Sequence, residues 1–142
     1  MTNTLEIPSD LLPDVRMGLF GLLGDAAEDI SSALTRPRFE LHPEWFVPAR
    51  KLFDQACELL DVLGWDGNLR PQTANLDFDR HGPTVKAGLE GFLPLLEMEL
   101  AEVDANDARR AQHGEPPRRD SVKARMRALR EFASHLERRS RT

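Results

Sequence analysis

The tightest set of titratable side chains in this sequence is Asp77-x-Asp79-x-His81. On an extended backbone alternate residues point to the same side, so two carboxylates and an imidazole could share a cation or a proton there. The same residues also have structural uses: Asp79 caps a following helix, Asp77 satisfies loop amides and His81 sits in a first turn. We expect the structural use and keep Asp77, Asp79 and His81 as the candidate metal ligands.

The remaining chemistry is sparse. His42, His81, His113 and His135 fall in four different elements, and no pair has zinc-protease spacing. Glu131 and His135 share one helical face, which supplies a single carboxylate–imidazole contact. A lone cysteine, Cys57, can form neither an intrachain disulfide nor a cysteine metal site. No catalytic residue and no cofactor is assigned, and the reading leans away from an enzyme.

Two patterns point to binding. Gly18, Gly21 and Gly24 recur at helical spacing on a face opposite the apolar stripe, as do Gly88, Gly91, Leu95 and Met98 further on. Each glycine costs roughly 1 kcal/mol against alanine inside a helix, so close approach of another helix, from this chain or a second copy, would explain them. The second pattern is the basic face of Lys123, Arg127, Arg130 and Arg138. Residues 118–142 carry a balance of +6 and residues 1–117 one of −11. A cationic helix attracts phosphates, but with no aromatic residue interleaved, pairing with the acidic remainder of the same chain or of a neighbouring copy is the expectation.

The elements that must position these residues follow from apolar periodicity. Hydrophobic content of 40% with 30% charge over 142 residues is ordinary for one domain, and we expect one spanning 1–142, without an internal repeat. Apolar residues return every three or four positions in four stretches, which predicts an all-α, four-helix bundle-like fold with helices at roughly 9–35, 43–64, 80–113 and 119–138. Gly64-Trp65 reads as a helix stop, with Gly114 and Pro116-Pro117 ending the third helix. Residues 65–79 read as one long loop, and 137–142 as a frayed tail. His42-Pro43 opens the second helix, with Trp45 on its apolar face.

No apolar run approaches a membrane span and no secretory signal opens the chain, so a cytoplasmic protein is expected. Arginine outnumbers lysine, which occurs only at Lys51, Lys86 and Lys123, in keeping with a GC-rich bacterial genome. The function expected is a helical protein-interaction or regulatory module whose partner is a second copy, giving a homodimer, or another protein. One alternative is a small-molecule or metal-binding protein, an enzyme included, with Asp77, Asp79 and His81 at the mouth of a pocket that Trp45 or Trp65 lines. The other, nucleic-acid binding by the last helix, is disfavoured, as is a membrane.

Overall fold

The computed structural model describes residues 3–35, 43–65 and 73–141, with side chains described at 3–32, 46–65 and 73–141. The expectations placed on His42, on the side chain of Trp45, on residues 66–72 of the 65–79 loop and on Thr142 lie outside these residues. The order of elements is β1 (Thr4–Ile7), α1 (Leu12–Thr35), α2 (Pro43–Leu63), β2 (Ala74–Asp77), α3 (Phe78–Ala111) and α4 (Arg119–Ser140). The fold is all-α and bundle-like, as the periodicity predicts. The principal helix contacts join α1 to α2, α3 to α4 and α1 to α3.

Sequence reasoning misses the ribbon. β1 and β2 pair antiparallel, with Leu5 opposite Leu76 and Ile7 opposite Ala74. Their alternation is short but real: Leu5, Ile7 and Leu76 turn inward to the core, while Thr4, Glu6, Asn75 and Asp77 are not buried. The Phe78 amide then donates to the Asn3 carbonyl at 2.8 Å, carrying the ladder into the first residue of α3. As a result α1 starts at Leu12, after a turn in which the Leu11 amide donates to Pro8, instead of near Ser9.

The helix ends follow local chemistry. Gly64 takes φ 91° and its amide donates to Leu60, so α2 stops where a residue without Cβ permits the left-handed conformation. Gly114, at φ 72°, does the same after α3. At the other end of α3 the cap is Asp77, not Asp79: the Asp77 carboxylate accepts from the Asp79 amide at 3.1 Å. The expected frayed tail is instead helix through Ser140, whose hydroxyl donates to the Leu136 carbonyl.

The core is continuous through both strands and all four helices, with Leu19, Leu59, Leu60, Leu89, Leu96, Leu129 and Leu136 almost fully enclosed. One contact explains two glycines. Gly18 and Gly88 meet where α1 crosses α3, and a Cβ added at Gly18 would lie 2.6 Å from the Gly88 carbonyl oxygen. Neither glycine faces outward, which corrects their placement opposite the core: α1 is covered on two sides, by α2 and by α3, and Gly18 belongs to the second side. Gly21, Gly24 and Gly91 face open space, and a Cβ at any of them would meet nothing within 4 Å.

The strand–helix–helix order occurs twice, and part of the sequence beneath it recurs with it. PDVRMGLFGLL at 13–23 aligns without a gap on PTVKAGLEGFL at 83–93, sharing Pro, Val, Gly, Leu, Gly and Leu. Upstream, Leu5-Glu6-Ile7 matches Leu76-Asp77-Phe78, with the connection to the proline one residue shorter in the second half. The expectation of no internal repeat is therefore wrong. The matching pairs Val15/Val85, Gly18/Gly88 and Leu19/Leu89 are buried, and Pro13/Pro83 and Gly21/Gly91 are exposed. The copies are hidden because five of the eleven positions differ and the match covers only the strand and the start of the first helix in each half.

Candidate functional site

The ribbon and the start of α3 bring Asp77, Asp79 and His81 near one another in sequence but not onto one ligand. Helix begins at Phe78, so the residues after Asp77 advance by about 100° each instead of alternating. Asp77 is committed to the Asp79 amide, and the Asp79 carboxylate accepts from the Asn3 side-chain amide at 3.2 Å. His81 is buried at the first turn of α3. Its pKa is pushed down by burial and by the neighbouring Arg80 charge, with Asp77 opposing. Among the described residues no three His, Cys, Asp or Glu side chains could hold a metal ion.

A cleft of about 420 Å³ opens between the start of α1, the end of α2 and β2. Leu12, Arg16, Asp61, Val62 and Thr73 are among its described lining residues; Asp77, Asp79 and His81 are not. The buried Arg16 guanidinium donates to the Leu63 carbonyl at 2.9 Å and the Gly64 carbonyl at 3.2 Å. Its charge thus closes the carbonyl end of α2, where a cation is favoured.

The basic face of α4 is partly spent within the molecule. Arg130 pairs with Glu97 at 2.6 Å, and the flanking Arg118 and Arg119 pair with Glu99 and Asp104 on α3. Arg125, on the inner side, binds the buried Asp14 carboxylate at 2.5 Å, and that hydrogen bond raises the arginine's already high pKa. Lys123, Arg127 and Arg138 are exposed. A two-stranded ribbon is an element that fits a major groove, yet the open face of this one presents Glu6 and Asp77. Carboxylates at that position repel phosphates.

What remains unaccounted for is apolar. Met17, Leu95 and Met98 are each more than half exposed, although they sit in the middle of well-formed helices. On α1, Met17, Gly21 and Gly24 recur at helical spacing along one outward face, with Phe20 beside it. The Phe20 ring lies 6.0 Å from that of Trp65, itself held by an indole hydrogen bond to Asp61 at 2.6 Å, and both rings are open to solvent. On α3, Gly91, Leu95 and Met98 form the corresponding stripe, as the sequence placed them. Gly18 and Gly88 drop out of this surface. Met17 and Phe20 were missed; the signal was their spacing, Met17 four positions before Gly21 and Phe20 four before Gly24, whereas Trp65 was expected only as a pocket-lining residue.

Comparison with known protein families, with curated proteins and with solved structures finds no match to this chain. No helix of the described residues is long and apolar enough to cross a membrane.

Proposed function

We propose that this chain is a protein-interaction module that self-associates through the outward apolar faces of α1 and α3. The observation that supports it is the exposure of Leu95 and Met98, 57% and 63%, beside the open glycine at position 91. Large apolar side chains grouped on one helix face gain about 25 cal/mol for each Å² removed from water, and a small residue beside them lets a second helix come close. Glu102 lies four positions beyond Met98 on the same face, so the apolar stripe ends at a carboxylate, whereas Glu97 turns toward α4 and pairs with Arg130. In this reading the module is a bacterial cytoplasmic protein, and its single cysteine fits a reducing compartment.

Sedimentation equilibrium tests the proposal. The wild-type chain is expected to dimerise at micromolar concentration, and Leu95→Asp with Met98→Asp to shift it to monomer while its circular dichroism stays unchanged. A wild-type chain that remains monomeric to high micromolar concentration removes the proposal.

A further inference from the structure

The repeat and the ribbon together carry a second interaction surface, distinct from the outward faces. Matching Leu5-Glu6-Ile7 to Leu76-Asp77-Phe78 makes Leu5 equivalent to Leu76, Glu6 to Asp77 and Thr4 to Asn75. In the ribbon Leu5 stands opposite Leu76, its own equivalent. The flanking pairs are Thr4 with Asp77 and Glu6 with Asn75, and exchanging the two halves converts one pair into the other. The helices obey the same rule: Gly18 and Gly88 are equivalent in the eleven-residue repeat and are the residues that meet at the crossing. Like residue against like residue, with neighbours swapped in pairs, is the signature of an isologous two-fold interface.

We infer that the junction between residues 3–65 and 73–141 is a homodimer interface closed within one chain, whose fitting partner is another copy of the same strand–helix–helix unit. A second copy of this chain supplies such a unit. The first half of one chain can then pair with the second half of another, and the contacts remade are those of the closed monomer: the Leu5–Leu76 ribbon, the Gly18–Gly88 crossing and the Asp14–Arg125 ion pair. The joining segment keeps the halves at an effective concentration of order millimolar, so the closed monomer prevails in dilute solution and exchange needs opened chains at similar concentration.

The test uses full-length chains bearing Leu95→Asp and Met98→Asp, which removes association through the outward faces. Isotopically heavy and light forms are mixed at about 1 mM, partly unfolded in urea, returned to buffer, diluted and read by native mass spectrometry. Mixed heavy–light dimers are expected beside the monomers. A locked version adds Glu6→Cys and Asn75→Cys, exposed and directly opposed in the ribbon, in a Cys57→Ser background, and is oxidised as a dilute monomer before mixing. It is expected to give no mixed dimer until reduced, with the closed bond verified by thiol titration. Monomers alone from the unlocked chains, or equal dimer yields from the oxidised and reduced locked chain, would overturn the inference. Because the outward faces are disabled throughout, failure of the proposed self-association leaves this result intact, and the reverse holds as well.

Discussion

The Asp14 carboxylate accepts a 2.5 Å hydrogen bond from the Arg125 guanidinium, tying the first turn of α1 to α4 across 111 positions of sequence. Asp14 is almost entirely enclosed, whereas the Arg125 side chain is about one-third open to water. Replacing Arg125 by methionine strands a buried carboxylate, and we expect a loss of about 2 kcal/mol, reduced from the value for a wholly buried pair by the solvent at the arginine. Arg130→Met, whose pair with Glu97 is exposed on both sides, should cost under about 0.5 kcal/mol. Urea unfolding of the two variants side by side checks the contrast; equal losses would refute it.

Alanine at Gly18 and at Gly21 should act in opposite directions. The Gly18 methyl would meet the Gly88 backbone, which cannot rotate away, so the helices must part and about 1–3 kcal/mol is lost. Gly21 has open space, and alanine there should gain roughly 0.5–1 kcal/mol from the reduced freedom of the unfolded chain. Melting temperatures of the two single variants are sufficient to read the sign.

His81 links stability to pH. Burial and Arg80 lower its folded-state pKa below the ordinary value, so the unfolded chain takes up the proton more readily. The stability His81 contributes is present above pH of about 6.5 and is lost as pH falls through that value towards the folded pKa. The melting temperature should therefore drop between pH 7.5 and 5.5, and His81→Gln should drop less over the same interval. An identical slope in the variant would place the dependence elsewhere.

The two aspartates at the start of α3 are not interchangeable. Asp77→Ala removes the carboxylate that accepts from the Asp79 amide and should cost about 1 kcal/mol. Asp79→Ala loses an exposed contact with Asn3 and a favourable charge in the first helical turn, worth a few tenths of a kcal/mol. Chemical denaturation of Asp77→Ala and Asp79→Ala ranks them, and the reverse ranking would place the cap at Asp79.

The helices were legible because their signals are local. Apolar residues at 85, 89, 92, 96 and 103 mark one face of α3, and all five are buried. The ribbon was not legible, since each strand offers only a few alternating positions and its partner lies some seventy residues away. That pairing also starts α3 two residues early, which moved the cap from Asp79 to Asp77. Leu95 and Met98 could be placed on an outward face by angle alone. Gly18 could not, because a helical projection shows which side is apolar but not how many neighbours a helix has.

The short ribbon sets the order in which the molecule can assemble. Contacts between α1 and α2, or between α3 and α4, join nearby stretches, but Thr4 must find Asp77 across about half of the polypeptide. Closing so wide a loop costs entropy before any pairing rewards it, so the two helical hairpins should gain structure first and dock afterwards. In a rapid-mixing experiment the docking step would set the slow phase, and lengthening the segment between 65 and 73 would retard it while leaving the early rise of helix untouched.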